Sequence, residues 1–182
     1  DLGYKIFLDR YALKDMKRET LTVGDLVIVV VNSATGQREV GRIKAINMPT
    51  LTIELLDGEV VTRDIEHVDK PLETDPAQMM DRVAAGIAAV EKTAKKRSEW
   101  AKNFRWLLED WKFVPGGRIL TAAGTDQELT FYNCYVIPME GDSRGGIIET
   151  LGNMTEIMSR GGGVGINLST LRPRHAYVKG VN

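Results

Sequence analysis

A run of glycines near the end of the chain constrains the fold more than any other feature. Four of the five residues at positions 161–165 are glycines, and glycine lets another group come close to the backbone. Residues 147–158 have helical spacing and precede the run, whereas residues 164–168 are strand-like. This order predicts a helix that ends in a glycine cap at Arg160-Gly161 and then a strand. A contact with a ligand and a tight turn explain the run equally well.

The glycine run does not fit either of the common phosphate-binding motifs. A dinucleotide fingerprint needs a strand before the glycines and a helix after them, which is the reverse of the order here. A phosphate loop needs a Gly-Lys-Ser or Gly-Lys-Thr sequence, and none follows. Any nucleotide contact made by these glycines would therefore belong to a different kind of site.

The only cysteine of the chain, Cys134, lies in an apolar segment, residues 131–137, that predicts a buried strand ending at Pro138. An unpaired cysteine in such a strand is by default an inert, buried residue. A reactive cysteine needs a second thiol or a nearby base, and the sequence identifies neither. An inert and a reactive Cys134 therefore both stay open at this point.

Composition limits the class of protein. The chain has 182 residues, a net charge of -1, 43% hydrophobic and 27% charged residues, which is typical of a soluble globular protein. No apolar stretch approaches the roughly 20 residues that span a bilayer. One cysteine excludes an internal disulfide framework and suits the cytoplasm. With only two histidines, His67 and His175, we expect no self-contained zinc site. We expect no membrane association.

Residues 20–69 have the pattern of a small β-barrel. Four short strand-like segments, 26–31, 39–46, 50–56 and 59–63, are separated by turn residues, including Asp57-Gly58. Such spacing predicts a barrel of the SH3 or KOW type.

Residues 75–112 are predicted to be helical. Asp75-Pro76 is typical of a helix start, and apolar residues then recur at helical spacing, with a second amphipathic helix near Trp100 and Phe104. We interpret the aromatic stripe as core packing, and Pro115-Gly116-Gly117 as the helix break.

Five segments of the chain occur in an order that is specific when they are taken together. They are Asp9-Arg10-Tyr11-Ala12-Leu13-Lys14-Asp15, Leu72-Glu73-Thr74-Asp75-Pro76, Asn133-Cys134-Tyr135-Val136-Ile137-Pro138, Gly141-Asp142-Ser143 and residues 161–174. In this order they resemble the N-terminal part of the catalytic subunit of ribonucleotide reductases. The resemblance is closest to the adenosylcobalamin-dependent class II enzymes, and it covers about residues 3–15 and 70–182.

The resemblance implies an α+β fold with four segments. Residues 1–19 would be an N-terminal segment of the reductase, and residues 20–69 an inserted SH3-like β-barrel. Residues 70–112 would form the N-terminal helical region. Residues 113–182 would begin the ten-stranded α/β barrel that carries the redox cysteine and the effector region. The nucleotide-binding cone of some relatives is absent, so regulation of overall activity by that route is not expected.

The resemblance also implies roles for individual residues. Cys134 would be one of two thiols that become a disulfide as the substrate 2′-hydroxyl leaves as water. The partner thiol, the thiyl-radical cysteine and the active-site glutamate lie later in the family's chain. Asn133, Gly117, Gly162 and Gly163 would contact the substrate. Many relatives carry a serine or threonine near Gly117, so backbone N–H groups would replace a hydroxyl here.

Three further residues would bind the specificity effector, a deoxynucleoside triphosphate: Asp142, Ser143 and Arg172. The helix after Ser143 belongs to the dimer interface in dimeric members, which implies a possible homodimer. No residue is expected to hold a metal. His175 stands where relatives often have glycine, and we interpret it as a surface residue.

The sequence therefore predicts an N-terminal fragment or subunit of a class II ribonucleotide reductase, inactive alone. Its expected partners are the C-terminal part of the catalytic subunit, a ribonucleoside di- or triphosphate, and a thioredoxin-like reductant. Adenosylcobalamin would be bound mainly by parts outside this chain. The alternative is a non-catalytic binding module whose barrel recruits protein or nucleic acid. Nucleic acid is disfavoured because Arg38, Arg42 and Lys44 are interspersed with acidic residues, and we prefer a spacer or interface role for the barrel.

Overall fold

The computed structural model describes residues 2–15, 17–18, 20–127 and 129–178 and divides the chain into two compact units, residues 1–128 and residues 129–182. Each unit is described by itself. The domain boundaries expected from the sequence after residues 19, 69 and 112 stay predictions. None of the described helices is both long and apolar enough to span a membrane.

The first unit combines an antiparallel sheet with a set of helices. The elements in chain order are α1 Leu2–Ile6, β1 Lys14–Asp15, β2 Leu26–Asn32, β3 Gln37–Asn47, β4 Thr50–Leu55, β5 Val60–Asp64, β6 Val68–Pro71, α2 Pro76–Ala88, α3 Ala94–Leu108 and α4 Gly117–Ala122. Helix α1 continues into a π-helical turn, Phe7–Tyr11, and single 3-10 turns follow β5 and α3, at Ile65–His67 and Glu109–Trp111.

The sheet confirms the four strand segments predicted from the sequence and adds two more. The strand order is β1-β6-β2-β3-β4-β5, so that β6 returns to pair with β2. The open side between β5 and β2 is bridged by Arg63, whose guanidinium donates to the carbonyl oxygens of Val30 at 2.9 Å and Val31 at 2.8 Å. A side chain thus connects the two strands where strand pairing stops.

Strand β2 is buried on both faces, which joins the sheet to the helices. Val27 and Val29 face a core formed within the sheet, together with Ile43, Leu51 and Ile53. On the other face, Ile28 contributes to a second core with residues of the π-helical turn, α2 and α4. Because a strand alternates its side chains between two faces, the continuous apolar run of β2 serves both cores.

Helix α2 begins as predicted and α3 ends earlier than predicted. Asp75 caps α2 through a capping box with Gln78, and Pro76 is the first helical residue. Helix α3 ends at Leu108, seven residues before Pro115, because Asp110 and Trp111 adopt left-handed backbone angles (φ 53° and 56°). The Pro115-Gly116-Gly117 sequence instead precedes a new helix, α4.

The second unit is a β-α-β arrangement. Its elements are β7 Cys134–Ile137, α5 Arg144–Ser159 and β8 Gly163–Ile166, with the two strands parallel. The prediction that the strand containing Cys134 is buried is wrong, because alternate residues of β7 are exposed. Helix α5 packs against the sheet on the face of Tyr135 and Ile137 and leaves the face of Cys134 and Val136 open.

Candidate active site

The thiol of Cys134 lies on an exposed sheet face that carries glycines. The parallel register places Cys134 opposite Gly163 and Val136 opposite Gly165. All four residues are on the exposed side of their strands. Two of the four positions on this face therefore have no side chain, which leaves open space beside the sulfur.

The space at Gly163 is not needed for packing within the chain. A β-carbon at Gly163 would lie 3.5 Å from the Asn133 carbonyl oxygen and 3.6 Å from the Cys134 sulfur, which are ordinary contact distances. A β-carbon at Gly165 would come no closer than 3.8 Å to any atom. Since alanine would fit at both positions, the absence of side chains is explained better by room for a ligand than by steric need.

Gly162 is different, because the neighbouring side chains leave it no room. A β-carbon there would lie 2.6 Å from Ile157 Cγ2 and 2.9 Å from Tyr135 Cε2. Real β-carbons essentially never come so close to another atom. The structure thus gives Gly162 a packing role, and its predicted contact with substrate stays a prediction.

The glycine cap predicted at the end of α5 is confirmed. Gly161 has φ +77°, and its N–H donates to the Met158 carbonyl oxygen at 2.8 Å. The N–H of Gly162 donates to the Ile157 carbonyl oxygen at 3.0 Å. These two bonds form a Schellman motif. Because β8 begins directly after this cap, the cap helps to fix the register in which Gly163 pairs with Cys134.

Asn133 is held next to the thiol through its backbone. Its carbonyl oxygen accepts a hydrogen bond of 2.8 Å from the N–H of Gly163. The residue itself is exposed. Asn133, Cys134, Gly162 and Gly163 are therefore brought together in one place, as their predicted roles require.

The three predicted effector residues also lie together, at the start of α5. Ser143 is the N-cap of this 16-residue helix, and its hydroxyl oxygen accepts from the N–H of Gly146 at 3.0 Å. Arg172 forms an ion pair with the Asp142 carboxylate through Nε and donates from Nη2 to the Asp142 carbonyl oxygen at 2.8 Å. The cluster thus combines a helix N-terminus with an arginine, both of which favour anions.

Gly117 belongs to the first unit, where it is the first residue of α4. A β-carbon at this position would lie 3.6 Å from Tyr11 Cε1. The preceding residue, Gly116, caps the helix without a side-chain hydrogen bond. This local geometry does not test the predicted contact of Gly117 with the substrate, which stays a prediction.

An ion pair that the sequence did not reveal connects the segments around this helix. Arg82 binds Glu73 at 2.6 and 3.1 Å, and both side chains are more than 90% buried. Arg82 also donates to the carbonyl oxygens of Leu120 at 3.0 Å and Ala123 at 2.7 Å, and Glu73 accepts from the N–H of Leu13 at 2.9 Å. The pair thus joins α2 to α4 and to the chain after α1.

Among the described residues, no group of three or more His, Cys, Asp or Glu side chains could hold a metal ion. His175 is exposed, with φ +69°.

Two models of ribonucleotide reductase domains match this chain, one in each unit. The family model described as "Ribonucleotide reductase, all-alpha domain" matches residues 61–128, and the model described as "Ribonucleotide reductase, barrel domain" matches residues 132–182. Together the two matches cover more than half of the chain and both sets of predicted site residues. The chain belongs to the ribonucleotide reductase large-subunit family.

Two individual proteins illustrate the similarity to this family. A vitamin B12-dependent ribonucleoside-diphosphate reductase of Mycobacterium tuberculosis (strain CDC 1551 / Oshkosh) is 40% identical over 98 residues, which are 53% of this chain and 14% of the relative. The ribonucleoside-diphosphate reductase large chain of Neurospora crassa is 27% identical over 133 residues, or 70% of this chain and 12% of the relative. The chain thus spans about one seventh of the length of these relatives or less.

One solved structure, kinase-associated protein B from Bacillus cereus, aligns with 52% of this chain and with all of its own. The TM-score is 0.26 and the sequence identity is 10%. A similarity this low does not indicate a shared fold.

Proposed function

We propose that this chain supplies one wall of the active site of a class II ribonucleotide reductase, an oxidoreductase that makes deoxyribonucleotides for DNA synthesis. The observation that carries the proposal is the exposed thiol of Cys134 beside Gly163 and Gly165. A nucleotide ribose needs open space next to the sulfur, and these glycines leave it.

Cys134 has the role of one of two reducing thiols. As the 2′-hydroxyl leaves as water, two S–H bonds and the C2′–O bond break, and an S–S bond, a C2′–H bond and the second O–H bond of the water form. The substrate gains the two electrons that the thiols lose. Since Cys134 is the only cysteine of the chain, the second thiol comes from the C-terminal part of the catalytic subunit. A thioredoxin-like reductant then restores both thiols.

The substrate is a ribonucleoside di- or triphosphate, and the relative from M. tuberculosis, by its name, acts on diphosphates. Asn133 and Gly163 lie directly beside Cys134 and contact the ribose. Gly162 and Gly117 contribute backbone rather than side-chain contacts. The backbone N–H of Gly117, at the first position of α4, takes the place of a hydroxyl.

Asp142, Ser143 and Arg172 bind the deoxynucleoside triphosphate effector. In the structure Arg172 is already paired with Asp142, which keeps its guanidinium at the N-terminus of α5. The triphosphate of the effector would share this guanidinium with the Asp142 carboxylate. Helix α5 would also form the interface of a homodimer.

Adenosylcobalamin, when bound, supplies the radical that begins the reaction. We assign its binding mainly to the C-terminal part of the catalytic subunit, outside this chain.

The sheet of the first unit is proposed to be an inserted SH3-like barrel, and the second unit to begin the ten-stranded α/β barrel. The return of β6 to pair with β2 after a 3-10 turn supports the former. The parallel β7 and β8 support the latter. We assign the insert a spacer or interface role, because it shares a core with the π-helical turn and α2 through Ile28. A cytoplasmic location suits the free thiol.

The test is reconstitution. This chain is mixed with the C-terminal part of a class II relative, adenosylcobalamin and dithiothreitol, and deoxynucleotide formation is measured. Wild type should be active and Cys134→Ser inactive, with the Ser159→Ala variant as an active control. Turnover by the chain alone, or by Cys134→Ser in the mixture, would disprove the proposal.

A further inference from the structure

Tyr135 lies next to Cys134 in the chain but on the opposite face of the sheet. Its hydroxyl shares a hydrogen bond of 2.9 Å with the hydroxyl of Thr130, five residues earlier. The same Thr130 oxygen accepts from the N–H of Tyr132 at 3.2 Å. One hydroxyl group thus holds both ends of the short segment that contains Asn133 and Cys134.

The ring of Tyr135 is itself fixed by the end of α5. It lies against Gly162 so closely that a β-carbon there would be 2.9 Å from Cε2. Gly162 in turn is held by its hydrogen bond to the Ile157 carbonyl oxygen at 3.0 Å. The ring of Tyr135 therefore packs against the C-terminal end of α5, and from this position its hydroxyl binds Thr130.

The backbone completes the arrangement on the side of the thiol. The N–H of Gly163 donates to the Asn133 carbonyl oxygen at 2.8 Å, between the two points held by Thr130 and Tyr135. The segment 130–135 is thus attached at both ends and in its middle. Cys134 follows Asn133 directly, so these attachments fix the position of its backbone and β-carbon, from which the sulfur projects.

We infer that Tyr135 and Thr130 are positioning residues that hold the Cys134 sulfur against Gly163 for reaction. Neither touches the thiol face. We call the hydrogen-bonded pair of Tyr135 and Thr130 the clamp. This inference rests on the proposed function, since the purpose that it gives the clamp is to position the redox thiol. A phenylalanine at position 135 would keep the ring on Gly162 and lose only the connection to Thr130. The hydroxyl is therefore the part of Tyr135 that the inference concerns.

The experiment uses the reconstituted enzyme with Tyr135→Phe, Thr130→Val and the double variant. Each single variant should lower kcat roughly 10- to 100-fold, the loss expected for misplacement of a reacting group by about an ångström. KM for the nucleotide should change little. The double variant should lose no more than Thr130→Val alone, since that substitution already removes the bond to Tyr135 together with the bond from the Tyr132 N–H. Thr130→Ser retains the hydroxyl and should restore activity.

Hydrogen exchange gives a readout that does not depend on turnover. In the Tyr135→Phe chain the amide of Gly163 should exchange faster, because its acceptor on Asn133 is no longer held. Amides in the middle of α5 should be unchanged. A general loss of folding would accelerate both sets, so the two outcomes are distinct.

The inference is overturned if both single variants keep wild-type kcat while Cys134→Ser is inactive, a result that leaves the proposed function intact. Unchanged exchange at Gly163 in Tyr135→Phe also overturns it. If instead Cys134→Ser remains active, the proposed function itself fails, and the purpose assigned to the clamp fails with it.

Discussion

The sulfur of Cys134 lies 3.6 Å from the point that a β-carbon on Gly163 would occupy. The two residues face each other across a parallel strand pair. This separation is an ordinary contact distance, so the chain itself does not require glycine at position 163. A methyl group at position 163 would therefore fit beside the sulfur and fill the space that the proposed substrate needs.

A methyl group at position 163 should impair reduction without impairing folding. Gly163→Ala should leave the midpoint of thermal unfolding near that of wild type and lower kcat/KM roughly tenfold or more, because the methyl occupies space beside the sulfur. Gly162→Ala is the matched comparison. It should cost about 1–3 kcal/mol of unfolding free energy, since Ile157 and Tyr135 must move. Calorimetry measures the loss of stability and turnover measures the loss of activity in each variant. An equal loss of stability in both variants would contradict this account.

The buried pair of Arg82 and Glu73 should be the most sensitive charged site of the first unit. Arg82→Met leaves the Glu73 carboxylate buried without its partner, which should cost about 3–5 kcal/mol in urea unfolding. Lys44→Met is the control, because the Lys44–Glu54 pair is exposed. Such exposed pairs contribute about 0–1 kcal/mol. A loss at Arg82 no larger than at Lys44 would show that the pair does not stabilise the fold.

Arg172 should matter for effector binding and Arg174 should not. Arg172→Ala removes a guanidinium at the start of α5 and should weaken binding of a deoxynucleoside triphosphate roughly 10- to 100-fold, the range expected for hydrogen bonds to a charged group. Arg174, two residues later and exposed, should have little effect when changed to alanine. Equilibrium dialysis of the reconstituted enzyme measures both affinities. Equal losses would indicate a general charge effect rather than a site.

Asp69 should make the first unit sensitive to acid. Burial alone would raise the pKa of Asp69, but hydrogen bonds from Arg18 and Arg38 and their charges outweigh it and hold the pKa below the ordinary 3.8. A carboxylate with a lowered pKa stabilises the fold above its unfolded-state pKa, and this contribution is lost as pH falls through the folded-state pKa. Asp69→Asn should therefore be less stable than wild type at pH 7, and the difference should shrink below about pH 4. Urea unfolding across this range tests it, and a constant difference would contradict it.

Local signals in the sequence were enough to predict much of the fold. The β-branched run of β2, the Asp75-Pro76 helix start and the Gly161 cap all depend on neighbouring residues, and the structure has each of them. The ion pair of Arg82 with Glu73 could not be predicted in this way, because Arg82 also binds carbonyl groups as far as 71 residues away. The bridge from Arg63 to β2 is likewise a contact between distant segments.

The exposure of Cys134 was not predictable from its apolar neighbours. An apolar run indicates a strand, but it does not say which of the two faces is covered. Here α5 packs on the face of Tyr135, and the face of the thiol stays open. The clamp from Tyr135 to Thr130 was missed for a related reason, since a tyrosine in an apolar strand indicates packing and gives no sign of its hydroxyl partner.

The most direct test of the central claim is the redox state of Cys134 after one turnover. The reconstituted enzyme is reduced, freed of external reductant, given ribonucleotide, quenched with iodoacetamide and analysed by peptide mass spectrometry. We expect Cys134 to appear in a disulfide with a cysteine of the C-terminal part, in a one-to-one ratio with the deoxynucleotide formed. If deoxynucleotide accumulates while Cys134 remains fully alkylated, Cys134 is not a reducing thiol and the account is wrong.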